Sequence, residues 1–261
     1  MDKYITSFAN PLIKEAAKLL AKPTYRRQQG KFVVDGLREI LLALEFSYEP
    51  IFFLIEEGKD ATLLADFSDI IVTTTPKVMQ KAGYKENPDG YIGIFRHKLK
   101  DLADLELSDN PLVIILESVE KPGNLGAVLR TAYAAGVDAV ICNDLAVDIY
   151  NPNIIRSSTG RVFSRQVALS SVEDTLAWLK EKKITPYITS IKAKANYAEQ
   201  DYGQPSALVF GSEAWGLSQK WLAAGAKEIV IPMKEAIDSL NVSVSVGIVV
   251  FEALRQRGFR F

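Results

Sequence analysis

From Pro111 onward, short apolar runs alternate with longer stretches whose apolar residues recur every three or four positions. LVIILE, DAVIC, FSRQVAL, YITSI, ALVFG and EIVIPM have the length and composition of buried strands. LGAVLRTAYAAG, NPNIIRSS, VEDTLAWLKEKK, GLSQKWLAA and the C-terminal region have the spacing of helices. Strands alternating with helices predict an α/β domain with a mostly parallel sheet covered on both faces, and ligands at the carboxyl ends of its strands. The first part is a smaller α/β unit. NPLIKEAAKLLAK predicts a helix capped by Asn10, started by Pro11 and facing inward through Leu12, Ala16 and Leu19/Leu20. KFVV, IFFLI and YIGIF read as strands, GLREILLALEF as a helix, and ATLLADF and PKVMQKAGY as helical pieces. HKLKDLADLELSDNP is charged and ends in Asn-Pro, which divides the chain into a domain over 1–97, a linker over 98–110 and a domain over 111–261.

One stretch carries two periods at once. From Ser239 to Val246 polar and apolar residues alternate, as in a half-buried strand. At helical spacing, however, Val242, Val246, Val249/Val250 and Ala253 line one face, and Leu240, Val244, Gly247/Ile248 and Phe251 line an adjacent one. The prediction is a helix buried on both faces, with serines small enough to fit between packed elements and to bond backbone carbonyls. Either Ser239 or Asn241 caps its first turn.

Composition narrows the chemistry. The 261 residues are 48% hydrophobic, enough for packed cores. No run approaches the roughly eighteen apolar residues of a membrane span, and the charged N-terminus is unlike a secretory signal, so the cytoplasm is the expected compartment. A single Cys142 and a single His97 exclude a disulfide framework and a Cys/His zinc site, and no metal is expected. His97 is expected to be exposed, and Cys142 to be a small buried hydrophobe on a strand. The net charge of −1 hides a local patch: between Pro11 and Lys31, Lys14, Lys18, Lys22, Arg26, Arg27 and Lys31 face Glu15 alone. That is a candidate polyanion surface.

Three loops follow strands and carry polar residues between glycines. ESVEKPGNLGAVLRTAYAAG holds Asn124 between Gly123 and Gly126, with Arg130 on the following helix. Its spacing matches neither the dinucleotide fingerprint nor a phosphate loop. Taken alone, Asn124 is a helix cap and Arg130 a surface ion pair. VFGSEAWGLS brackets Ser212 and Glu213 between Gly211 and Gly216; it is not a nucleophile elbow, and one histidine leaves no second partner for a triad. Trp215 there either stacks on a base or packs the loop against the body. IPMKEAIDSLNVSVSV is the third loop, leading into the C-terminal helix.

Together, in this order, PGNLGAVLRTA, VFGSEAWGLS and IPMKEAIDSLNVSVSV resemble the three signatures of SpoU (TrmH-type) RNA 2'-O-ribose methyltransferases of the SPOUT superfamily, across residues 111–257. The stretch from ITSFANPLIKEAAKLL to DGLREILLAL resembles the RNA substrate-binding domain that precedes many of them. The resemblance implies a deep trefoil knot at the loops after ALVFG and EIVIPM, S-adenosyl-L-methionine as cofactor, a homodimer through the knotted domain, and ribosomal RNA in preference to transfer RNA as partner. It implies catalytic roles for Arg130, Asn124, Glu213, Ser239 and Asn241. Gly211, Ser212, Glu213, Gly216, Ile231, Met233, Ser239, Leu240 and Asn241 would bind the cofactor. Lys14, Lys18, Lys22, Arg26, Arg27, Arg38, Arg156 and Arg161 are the expected RNA contacts, with Arg165 nearby in sequence.

The implied reaction is in-line attack of a ribose 2'-oxygen on the cofactor's methyl carbon, which demands orientation and loss of a proton. The family assigns deprotonation to the arginine at position 130, but a guanidinium stays protonated in proteins. Arg130 is therefore expected to bind the adjacent phosphate and stabilise the developing alkoxide. Two positions depart from the family pattern: Glu235 replaces a usual glycine, and Lys121 a usual acidic residue. The rival is a non-catalytic RNA-binding protein that keeps the knotted domain as a dimer scaffold; the intact set Asn124, Arg130, Glu213, Ser239 and Asn241 favours the enzyme.

Overall fold

The computed structural model describes residues 3–84, 88–98, 100–164, 166–212, 215–234 and 239–259. The chain divides into two units, Met1–Leu99 with Tyr150–Phe163, and Lys100–Ile149 with Ser164–Phe261.

In the first unit, Asn10 accepts a hydrogen bond from the Leu12 backbone N–H at 2.9 Å, and Pro11 opens α1 (Pro11–Ala21) where the helix needs no donor. Strands β1 (Tyr4–Ile5), β2 (Lys31–Asp35), β3 (Pro50–Glu56), β4 (Ile71–Thr74) and β5 (Tyr91–Arg96) pair in the order β1-β4-β3-β5-β2. β4 runs parallel to β1 and β3, while β5 is antiparallel to β2 and β3. Ile13, Ala16 and Leu19 of α1, with Val78 and Met79 of α4 (Pro76–Ala82), bury against Val33, Leu54, Val72, Ile92 and Ile94 of the sheet. Leu12 and Leu20, expected on the inner face, are half-buried at its edge. Helix α3 (Leu37–Glu45) turns Ile40 and Ala43 inward.

Two short strands, β1 and β4, and helix α2 (Pro23–Gln29) were not legible from periodicity. The α2 sequence, PTYRRQQ, lacks an aliphatic stripe; Pro23 starts it and Gly30, at φ +59°, stops it. Its Arg26 corrects one expectation. The side chain is buried, 1% exposed, and its Nη1 donates to the carbonyls of Leu19 and Leu20 at 2.6 and 3.0 Å. Those carbonyls belong to the last turn of α1, which has no intrahelical donors left for them. Arg26 ties α1 to α2 and is not part of a surface for RNA.

The second unit holds one six-stranded sheet in which every pairing is parallel. Its elements are β6 (Leu112–Glu117), α5 (Pro122–Ala134), β7 (Ala139–Asn143), β8 (Val167–Ser170), α7 (Val172–Lys182), β9 (Thr185–Thr189), β10 (Ser206–Phe210), α8 (Lys220–Ala223), β11 (Lys227–Ile229) and α9 (Val242–Gln256), with α6 (Pro152–Ser157) lying between β7 and β8 in sequence. The strand order is β11-β9-β10-β6-β7-β8. β6, β7 and β10 are buried along their whole length, as a sheet covered on both faces requires. Val172, Trp178 and Leu179 of α7 and Trp221 of α8 pack on Val113, Ile115, Ile141, Ala207 and Val209, while α5 packs on α9. Leu102, Leu105 and Leu107, in the stretch expected to be a linker, also press on this core. The helix expected over GLSQKWLAA shortens to Lys220–Ala223, and the strand expected over FSRQVAL begins only at Val167, after a 3-10 turn at Arg161–Phe163.

Residues 150–163 group with the first unit because that sheet has aromatic side chains left to cover. Tyr150 stacks on Phe32 at 4.3 Å between ring centres, and Phe163 meets Tyr48 edge-on at 5.1 Å. His97 stacks on the other ring partner, Tyr150, at 4.6 Å, and is half-buried where exposure was expected. No helix among the described residues is long and apolar enough to cross a membrane.

Candidate active site

β6 and β10 are parallel neighbours, so the loops leaving their carboxyl ends emerge side by side, with β10 inserted between β6 and β9. That is where an open parallel sheet offers a crevice. After β6, helix α5 begins at Pro122, earlier than expected, and Lys121 occupies the cap position without a side-chain hydrogen bond. Asn124 is therefore inside the first turn and does not cap it. Its Oδ1 accepts from Nδ2 of Asn241, at 3.1 Å. Asn241 is itself the cap of α9: its Oδ1 accepts from the Ser243 backbone N–H at 2.9 Å and from the Ser243 hydroxyl at 2.6 Å. One amide thus starts the last helix and holds the first loop. Ser239, the other expected cap, is exposed two residues before it and outside the helix.

Arg130 lies further along α5, about 9 Å up the axis from Asn124 by helical rise. It is exposed and makes no hydrogen bond or ion pair with another described residue, so the surface ion pair that sequence alone allowed is not formed there.

The loop after β10 closes on itself. The Ser212 N–H donates to the Gly216 carbonyl at 3.1 Å, and the Gly216 N–H donates to the Ser212 carbonyl at 3.0 Å. Ser212 Oγ accepts from the Trp215 N–H at 3.0 Å, which occupies this buried hydroxyl within the loop. A Cβ on Gly211 would lie 2.2 Å from the Gly216 backbone, and Gly216 adopts φ +67°. Only glycine meets both demands without strain. Glu213 lies outside the described residues, as do Glu235 and Arg165.

Glu117, the last residue of β6, was missed by sequence reasoning. Its buried carboxylate accepts from the Ser218 backbone N–H and from Trp221 Nε1, both at 3.0 Å, and so clamps the exit of the second loop to the start of the first. The signal was an acidic residue ending the apolar run LVIIL. After β11 the chain leaves regular structure: Ile231 and Met233 are half-buried outside any helix or strand, as is Leu240. Their backbone N–H and C=O groups are not committed to helix or sheet ladders.

The basic residues belong to the first unit. Lys14, Lys18, Lys22, Arg27, Arg38 and Arg156 are exposed, with the Lys18 ammonium 5.6 Å from the Tyr25 ring centre. Lys31 pairs with Glu15 at 2.7 Å. Arg38 and Arg161 line an open cavity of about 530 Å³ with Leu37, Leu41, Leu42 and Glu45.

A model of the SpoU rRNA Methylase family matches residues 111–251, and a model of the MRM3-like substrate binding domain matches residues 10–93. A 23S rRNA (uridine(2479)-2'-O)-methyltransferase of Streptomyces viridochromogenes is 28% identical over 95% of this chain and 91% of its own length. A crystal structure of an RNA 2'-O ribose methyltransferase superposes with a TM-score of 0.80 at 38% identity, covering 97% of this chain and 99% of that one. An AdoMet-bound rRNA methyltransferase from Sinorhizobium meliloti superposes with a TM-score of 0.88 at 28% identity, covering 97% of both chains. With more than half its length matched by the family model and all three signature sequences present, the chain belongs to the SpoU rRNA methylase family.

Proposed function

We propose that this chain is an RNA 2'-O-ribose methyltransferase that takes its methyl group from S-adenosyl-L-methionine and acts on ribosomal RNA. The observation that carries the proposal is the Asn241–Asn124 hydrogen bond, which joins the third signature loop to the first at the carboxyl ends of the strands. The residues fit the cofactor. Half-buried Ile231, Met233 and Leu240 offer apolar surface and unladdered backbone groups to an adenine, and the closed 211–216 loop brings glycine backbone to the same end of the sheet. When bound, the cofactor supplies a methyl group activated by a sulfonium. Ser212 and Gly216 shape the pocket wall, Glu213 favours the cofactor's positive charge, and Ser239 with Asn241 orients the nucleoside.

Arg130 has a guanidinium available for a phosphate next to the target ribose and for the charge that grows on the 2'-oxygen. Asn124, held by Asn241, is positioned by its neighbour and not by solvent. The exposed cations of the first unit hold the RNA by its phosphates, which sets position and not sequence. The ribosomal preference is supported by the 23S rRNA activity of the Streptomyces relative, which matches both parts of the chain. It also favours the cytoplasm as compartment.

A homodimer through the C-terminal domain belongs to the same proposal. On α9, Val244 and Phe251 are 49% and 44% exposed, with half-buried Gly247 and Ile248 between them. This is the second apolar face predicted from sequence, and the described residues leave it largely uncovered. The trefoil knot is supported by the chain path, which runs from β10 past β9 to β11 and returns to α9 beside α5.

Mapping 2'-O-methyl positions in RNA from cells with and without this protein tests the proposal. Loss of methylation at one ribosomal position is expected. Loss at a transfer RNA position would overturn the choice of substrate, and no loss together with no S-adenosylmethionine binding in calorimetry would favour the scaffold.

A further inference from the structure

Among the described residues Trp215 is the most exposed large hydrophobic side chain, 86% exposed. Its N–H is held by Ser212 Oγ, and the two hydrogen bonds between Ser212 and Gly216 close the turn around it. An indole anchored at its backbone and uncovered on its ring packs little against the described residues. The loop follows β10, next to the loop of Asn124, and Glu117 ties the two together through Ser218 and Trp221. Of the described residues that follow, Gly216, Gln219 and Lys220 are exposed and small or polar, while Leu217 turns in to the core and the Ser218 hydroxyl is buried. A lone aromatic among polar neighbours matches the flat face of a nucleobase better than a protein surface, which needs a contiguous apolar patch.

We infer that Trp215 is a stacking platform for an unpaired base of the RNA substrate, at or beside the nucleotide whose ribose is methylated. The inference rests on the RNA methyltransferase reading and deepens it by naming a base-binding subsite. Single-stranded RNA is recognised largely by such stacking, because every base presents a π-face whatever its identity. Trp215 is a positioning residue: it fixes the base so that the attached ribose stays at the Asn124 end of the sheet, and it takes no part in bond making.

The other two tryptophans make the test direct. Trp178 is 8% exposed and Trp221 fully buried, so acrylamide-quenchable emission reports Trp215. The full-length protein is titrated with an end-labelled, single-stranded RNA of mixed sequence, with binding followed independently by anisotropy of the label. The expected result is loss of Trp215 emission and of acrylamide access in step with RNA binding. Trp215→Ala is expected to bind the RNA about tenfold more weakly, Trp215→Phe to recover most of the loss, and calorimetric binding of S-adenosylmethionine to stay unchanged. With unmodified ribosomal RNA as methyl acceptor, the alanine variant is expected to raise KM by a similar factor while kcat holds.

RNA binding with the indole still open to acrylamide would overturn the inference and leave the methyltransferase reading standing. So would an alanine variant with unchanged affinity. Protection that follows protein concentration without RNA would assign the ring to self-association and overturn it too. Absence of RNA binding altogether would overturn both.

Discussion

Asn241 serves two structures with one amide, and the two can be separated by a single change. Its oxygen caps α9 through Ser243, and its nitrogen donates to Asn124. Asn241→Asp keeps the cap acceptor and removes the donor. The expected outcome is a melting temperature close to that of the parent, or slightly higher from a carboxylate at a helix N-terminus, with methyl transfer reduced at least tenfold, as loss of a positioned polar contact would give. Asn241→Ala loses both and should also cost about 1–2 kcal/mol of stability in denaturant titration.

Arg26 shows the opposite separation. Its guanidinium is buried on the carbonyls of Leu19 and Leu20, so Arg26→Ala is expected to cost about 2–3 kcal/mol of stability. The salt dependence of RNA binding should be unchanged in that variant. Lys18→Ala, at an exposed neighbour, should leave stability alone and lower the salt slope by about one. Counting charges along the sequence treated the two alike, because burial of an arginine in the 22–31 segment depends on where α1 ends and α2 begins.

Among the elements, the C-terminal helix was legible in its sequence and the short elements of the first unit were not. Val242, Val246, Val249, Val250 and Ala253 bury as helical spacing predicts, and the competing strand pattern in SLNVSVSV is overruled as Asn241 caps the helix and takes up the half-buried Ser243 hydroxyl. The buried strands of the parallel sheet were also legible, since a strand covered on both faces is a continuous apolar run. β1, β4 and α2 were not, because strands of two and four residues and a polar helix between a proline and a glycine carry almost no periodic signal. The loops of the proposed site were read from their glycines and polar residues, while the Glu117 clamp and the Asn124–Asn241 bond join residues about a hundred positions apart and depend on strand order. The exposed face of α9 yields its own prediction. Phe251→Glu puts a charge where the proposed dimer buries an aromatic ring, so sedimentation should show dimers for the parent and monomers for the variant, with the circular dichroism of the two alike. A parent that sediments as a monomer would remove the dimer from the account.

At the scale of the whole molecule, the chain is two α/β units to which the proposed function gives separate work. The first presents most of the exposed cations expected to meet RNA, together with the Arg38–Arg161 cavity, and the second gathers the polar loops at the carboxyl ends of a parallel sheet. Binding and chemistry are therefore expected to fail independently: substitutions among the exposed lysines act on affinity for RNA, and substitutions at Arg130, Asn124 and Asn241 act on turnover. The central claim is that the second unit transfers a methyl group to a ribose oxygen and that Arg130 supports the transfer. The most direct test incubates the purified protein with S-adenosylmethionine carrying a tritiated methyl group and with unmodified ribosomal RNA, then digests the RNA to nucleosides. The account predicts label in a 2'-O-methylnucleoside alone and a loss of about tenfold or more in kcat for Arg130→Lys, which keeps the charge and loses the two-pronged geometry. Label in a base-methylated nucleoside, or full activity in the lysine variant, would contradict it.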